Sequence, residues 1–250
     1  MNHSLLGLAC GDSYGSYYEM DGLMGVKYDI KQLPNNSATP IITDDTKMAI
    51  ILLQHYRKYK NIDVEKLYEE YRAWAIIDGK IDGIGLHTAE VLLNNKHDKD
   101  SQGNGALMRV IPFGVELIKD GYSFEETVSL MNRDSAITHA NETIFMANRL
   151  SLDIALNGIS VIEKVIYKDF ICKLHNGCTA WVMHSLCVVI ETLKMDISFL
   201  DGFKHIVSKG GDTDTNCAIY GAIRACSEDV YKSLHIADFL TKGIVAKLKF

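Results

Sequence analysis

Two short stretches hold more oxygen ligands than a helix start requires. In KGGDTDTNCAIYGAI, residues 209–223, Asp212, Thr213, Asp214 and Thr215 stand at the mouth of an apolar run. In PIITDDTKMAIILLQ, residues 40–54, Thr43, Asp44, Asp45 and Thr46 do the same. Asp and Thr there cap free N–H groups and suit the positive end of the helix dipole. Capping uses one or two of them, and the others need a different purpose. If both helices are central, facing N-termini bring four carboxylates together. Such a group repels itself and its pKa values rise unless cations neutralise it. Carboxylate and hydroxyl oxygens are hard ligands that suit Mg²⁺, Mn²⁺ or Ca²⁺ rather than zinc. The matched pair predicts a divalent-cation site between two helix ends.

A glycine-rich turn offers a second kind of chemistry. In DSQGNGALMRVIPFG, residues 100–114, Gly103, Asn104 and Gly105 precede a helix that starts at Ala106. Backbone N–H groups can turn inward there and receive a phosphate, and Ser101 can add a hydroxyl. A simple turn explains the same residues. Glu19 places a carboxylate just beyond the first helix, where a solvated loop residue is the plain alternative. His139, in AITHAN, reads as a mid-helix histidine whose spacing does not mark it for function.

The elements that must position these groups read as helices. In VEKLYEEYRAWAI, Val64, Leu67, Tyr68, Tyr71, Trp74 and Ala75 share one face at spacings of three and four. SFEETVSLM opens with a capping-box pattern at Ser123 and Glu126. Residues 135–158 read as one long helix stopped by Gly158, and residues 178–195, 216–226 and 229–248 follow the same grammar. β-alternation is absent, and the best short candidate, Gly25 to Leu33, suits a loop equally well. Gly7, Gly11 and Gly15 stack on one side of the first helix. Each weakens a helix by about 1 kcal/mol relative to alanine, which is tolerated where another backbone or a ligand comes close. With no repeat and no linker, an all-α single compact domain over residues 1–250 is expected.

Composition narrows the partners. The 250 residues carry a net charge of −6, with no basic cluster longer than Arg57–Lys60. That disfavours a nucleic-acid groove built on phosphate neutralisation but not a small phosphorylated ligand. The N-terminal sequence lacks a basic n-region, and no run approaches the roughly 20 apolar residues of a membrane span. Six cysteines show neither a C-x-x-C pair nor zinc spacing, so buried free thiols in a reducing compartment are expected. The expectation is a cytoplasmic protein without a membrane partner.

Five motifs in order, GLACGDSYGSYYE, TDDTKM, GNGALMRV, AITHAN and GGDTDTNCAIYGAI, resemble the ADP-ribosylglycohydrolases. The spelling GDSYGSYYE is most similar to the type 3 branch, which acts on serine-linked ADP-ribose, poly(ADP-ribose) and O-acetyl-ADP-ribose. The resemblance implies an all-α fold with two Mg²⁺ or Mn²⁺ ions at the base of a cleft. Carried over by motif, Thr43, Asp44 and Asp45 would be metal ligands from one side and Asp212, Asp214 and Thr215 from the other. Glu19 would reach the metal and take part in catalysis, with Asp45 and Asp214 as the other candidate proton carriers. Asp100, Ser101, Gln102, Gly103, Asn104 and Gly105 would wrap the diphosphate, with Ser101 and Asn104 donating, and His139 would lie near a ribose. The implied substrate is an ADP-ribosylated protein or an ADP-ribose-containing small molecule, acted on by a monomer.

The residue chemistry agrees with that implication. Cleavage at the ribose C1″ passes through an oxocarbenium-like state. Metal ions can hold the 2″ and 3″ hydroxyls and activate a water, while a carboxylate carries the proton. On this reading Gly210 and Gly211 leave room for metal and ribose. The chain is short for the family, which bears on acceptor choice. A polyprenyl synthase would need D-D-x-x-D, and position 48 after Asp44 and Asp45 is Met48. A binding or immunity protein of the same fold, with or without hydrolase activity, is the remaining alternative.

Overall fold

A computed structural model describes residues 2–35, 40–177 and 179–227. The segment 229–248, expected to be helical, and Cys178 lie outside the described residues. Twelve α-helices occur among these residues, with no strand and a single bridge between Gly103 and Trp181. The chain is all-α, as the periodicity predicts.

The centre is a pair of helices from opposite ends of the chain. Helix α1 (His3–Gly15) is buried on all sides apart from its first residue. It lies against α12 (Thr213–Arg224) so closely that backbone meets backbone. A Cβ at Gly7, Gly11 or Gly15 would fall 2.1–2.2 Å from the carbonyl oxygens of Gly221, Cys217 and Thr213. The glycine stripe therefore serves helix packing rather than a ligand. Ser4 Oγ to the Ala222 carbonyl and Thr213 Oγ1 to the Gly15 carbonyl, each 2.9 Å, pin the two ends of the contact.

Helix α2 (Glu19–Leu23) follows α1 at once. After a loop comes α3 (Asp44–Tyr59), then the amphipathic α4 (Val64–Trp74), which buries Leu67, Tyr71 and Trp74 while Val64 stays exposed. A π-helical turn over Ala75–Gly79 carries the chain to α5 (Leu86–Asn94) and leaves Ile76, Ile77, Ile81 and Leu86 exposed beside it. Helix α6 (Leu107–Lys119) fills the middle of the core, and α7 (Phe124–Ser135) starts with the predicted capping box at Ser123 and Glu126.

The long helix expected over 135–158 is two helices. Helix α7 stops at Ser135, and α8 (Glu142–Asn157) begins after Asn141, whose side chain accepts from the Thr143 N–H. Between them the His139 N–H turns back onto the Ser135 carbonyl at 2.7 Å. His139 therefore lies in a connection, not mid-helix. Helices α9 (Val165–Ile171), α10 (Val182–Leu193) and α11 (Phe199–Lys209) complete the order before α12. The expectation of buried cysteines holds for Cys10 and Cys217, but Cys172 is exposed.

Candidate active site

The two acid clusters face each other across the start of α12. Asp212 occupies the N-cap position of that helix without a side-chain capping bond, and Asp214 lies in its first turn, where its Oδ1 accepts from the Thr215 N–H at 2.8 Å. From the other side, α3 brings Asp44 and Asp45 in its first turn. Asp45 Oδ2 is 3.3 Å from Thr215 Oγ1 and 3.4 Å from Thr43 Oγ1, which ties the clusters together. Asp45 Oδ1 is buried and has no hydrogen-bond partner among the described residues.

Glu19 completes the group because α2 docks on the turn before α12. Gly210 and Gly211 have φ of 75° and 81°, in the left-handed region. The Gly211 N–H donates to the Gly22 carbonyl at 2.9 Å, and a Cβ on Gly22 would meet the Gly211 oxygen at 2.3 Å. These glycines thus allow a tight turn under α2, which corrects the idea that they leave room for metal and ribose. The result is convergence: one carboxylate oxygen from each of Glu19, Asp212 and Asp214 lies within 4.8 Å of the others.

Asp12 lies beneath them, fully buried on α1. It accepts from the Thr43 N–H at 2.9 Å, from Thr43 Oγ1 at 2.8 Å, from the Thr46 N–H at 3.3 Å and from Thr46 Oγ1. It therefore holds the first turn of α3 in place. Burial pushes its pKa up to about 6 against the pull of those hydrogen bonds. Burial, followed by the neighbouring carboxylates, also raises Asp44, Asp45, Asp214 and Glu19. Among the described residues no lysine or arginine forms an ion pair with any of the six; Lys47, which follows the cluster, pairs with Asp82 at 3.7 Å. An all-oxygen donor set with an orphaned buried oxygen and uncompensated charge fits a hard divalent cation.

Above the carboxylates opens a cavity of about 440 Å³. Glu19, Asp44, Asp212, Asp214 and Thr215 form its acidic side. One wall is the Gly103–Gly105 turn with His139, and another is the Gly83–Gly85 turn with His87. The rest of the expected diphosphate loop is placed differently. Asp100 is exposed outside the cavity, with its N–H on Asp98 Oδ1, Ser101 is half-buried outside it, and Gln102 Oε1 accepts from Trp181 Nε1 at 2.9 Å. Asn104 is buried, and its amide lies 2.9 Å from both Asp212 Oδ2 and Ser185 Oγ, so it orients a carboxylate.

Sequence reasoning missed three contributors. The Gly83–Gly85 turn was legible, since IDGIGLHTAE repeats the grammar of a G-x-G turn before a helix. Asp12 was not, because its partners are 31 and 34 residues away. The third is a buried network in which Arg109 Nε meets Asp134 Oδ2 at 2.9 Å, with Tyr71 on the other Asp134 oxygen at 2.7 Å.

Comparison with known proteins bears on the family and the fold. A sequence model of the ADP-ribosylglycohydrolase family matches residues 2–156. A protein of Acanthamoeba polyphaga mimivirus named as an ADP-ribosyl glycohydrolase is 22% identical, over 88% of this chain and 84% of its own. A solved structure described as an ADP-ribosylglycohydrolase-related protein complex superposes with a TM-score of 0.68 at 18% identity, covering 98% of this chain and 95% of that one. That likeness speaks to the fold, and the family match to the lineage. The chain belongs to the ADP-ribosylglycohydrolase family, glycohydrolases of ADP-ribose linkages.

Proposed function

We propose that this protein is a divalent-cation-dependent hydrolase that cleaves the C1″ glycosidic bond of ADP-ribose attached to a protein side chain or a small acceptor. The observation that carries this reading is the convergence of Glu19, Asp212 and Asp214 beneath the cavity, with the orphaned Asp45 Oδ1 beside them. Glu19, Asp44, Asp45, Asp212 and Asp214, with Thr43 and Thr215, would hold two Mg²⁺ or Mn²⁺ ions. When bound, the ions supply charge neutralisation, a grip on the ribose hydroxyls and an activated water.

The chain's own residues do the remaining work. Asn104 fixes the orientation of Asp212, and Asp12 fixes Thr43 and the first turn of α3. Glu19 has no hydrogen bond from the protein among the described residues, and burial raises its pKa. It is therefore suited to take a proton from the attacking water or give one to the leaving group. The glycine turns let backbone approach the diphosphate.

A panel of conjugates tests the reading: arginine- and serine-linked ADP-ribose, an acetyl ester, poly(ADP-ribose) and an ADP-ribosylated nucleic-acid end, each scored by released ADP-ribose. Release from at least one is expected with Mg²⁺ and is lost in Asp44→Ala and Asp214→Ala. Full activity in chelator removes the cation from the mechanism, and a blank panel from folded, metal-loaded protein removes the hydrolase.

A further inference from the structure

His139 has its ring on the cavity wall, and its contacts decide where its proton lies. Nδ1 is 2.8 Å from Thr138 Oγ1, which is also 3.0 Å from Arg109 Nη2. A guanidinium only donates, so this contact uses a lone pair of the hydroxyl and leaves its O–H in need of an acceptor. Thr138 is buried, and among the described residues the acceptor within reach is His139 Nδ1. If Nδ1 instead carried the proton, the hydroxyl hydrogen would be buried without a partner, the costly state for a donor.

Arg109 is not free to leave. It is wholly buried, with Nε on Asp134 Oδ2 at 2.9 Å, Nη1 on the Gly105 carbonyl at 2.6 Å and Nη2 also on the Asp134 carbonyl at 3.3 Å. One guanidinium thus ties the Gly103–Gly105 turn to the His139 connection. His87 packs edge-on against His139, 4.7 Å between centroids, and its Nε2 donates to the Thr138 carbonyl at 2.7 Å. Burial, then the charge of Arg109 and the neighbouring His87, hold the His139 ring well below the ordinary histidine range.

The outer edge of the ring is kept clear. A Cβ on Gly103 would lie 3.1 Å from Nε2, and one on Gly105 would lie 3.2 Å from Cε1. Among the described residues no hydrogen-bond partner reaches Nε2. We infer that the Arg109–Thr138 chain locks His139 in its Nε2–H tautomer, so that it meets the ligand as a neutral hydrogen-bond donor, with Arg109 and Thr138 as positioning residues. A ring with its proton on Nε2 cannot act there as a base, so the group it faces is an acceptor oxygen, of a hydroxyl or a phosphate. That the ligand is ADP-ribose rests on the proposed function; the tautomer does not.

Nitrogen-15 NMR of the histidine rings decides the matter in the whole protein, with His139→Gln identifying the signal. In the wild type, Nδ1 is expected at the downfield position of an unprotonated ring nitrogen and Nε2 at the upfield position of an N–H. Thr138→Val should move the ring toward Nδ1–H, and Thr138→Ser should restore it. A purely structural role for Thr138 leaves the tautomer unmoved. A wild-type ring with its proton on Nδ1, or an unchanged Nε2–H signal in folded Thr138→Val, overturns the inference. Affinity for ADP-ribose should weaken about tenfold in Thr138→Val and recover in Thr138→Ser, the scale of one lost hydrogen bond. If the wild type binds no ADP-ribose, the proposed function fails, while the spectrum still decides the tautomer.

Discussion

Asp12, Glu19, Asp44, Asp45, Asp212 and Asp214 meet at one place because each is delivered by a helix end or a helix face that packing fixes elsewhere. Without cations they destabilise the fold, and removing one charge should relieve it. Asp214→Asn keeps the Oδ1 that accepts from Thr215. It should raise the melting temperature of metal-free protein, by roughly 2–4 °C for each kcal/mol of repulsion removed, and abolish the stabilisation by Mn²⁺. A melting temperature that falls instead would show that the carboxylate is held by something other than a cation. Asp12 gives a pH signature. Its folded pKa of about 6 lies above the ordinary 3.8, so its contribution to stability is fully present below about pH 4 and is lost as pH rises through about 6. Metal-free wild type should therefore lose stability over that window relative to Asp12→Asn, in paired thermal melts. Parallel curves for the two proteins would remove Asp12 from the account. The acid clusters were legible because four ligands sit side by side in each motif. Asp12 and Arg109 were not, because one charged residue among apolar neighbours shows no partner until the chain folds.

At the scale of elements, the contact between α1 and α12 sets the site, since it fixes Asp12 on one helix and Asp212 and Asp214 on the other. Gly11→Ala places a Cβ 2.1 Å from the Cys217 carbonyl oxygen, and backbone cannot move aside as a side chain can. Overpacking of this kind costs about 1–3 kcal/mol or more. The variant should melt several degrees lower and bind Mn²⁺ more weakly; an unchanged melting temperature would mean that the helices are not in backbone contact. The glycine spacing announced a close approach without naming its partner, because helix and ligand make the same demand on a missing Cβ. Periodicity located most helices but ran through the break at 136–141. Those residues are compatible with helix, and the stop is made by the turn of His139 onto Ser135 and by the Asn141 cap.

Across the whole molecule, the N-terminal motifs and the GGDTDTN motif lie more than 160 residues apart yet bound one cavity. No helix among the described residues is long and apolar enough to cross a membrane. The all-α architecture was legible from helical periodicity and the lack of alternation, and the glycine turns from their spelling, whereas the meeting of those turns around one cavity was not, since long-range packing sets it. Because cations would complete the fold, Mg²⁺ or Mn²⁺ at about 100 times its dissociation constant should add about 2.7 kcal/mol to stability, reversed by chelator. The central claim is that the carboxylate cluster is a divalent-cation site. Calorimetric titration of Mn²⁺ into chelator-stripped wild type and Asp214→Asn tests it most directly. Saturable binding of two ions to the wild type, lost or halved in Asp214→Asn, is predicted. A featureless titration of folded wild type, or equal binding by the variant, would contradict it.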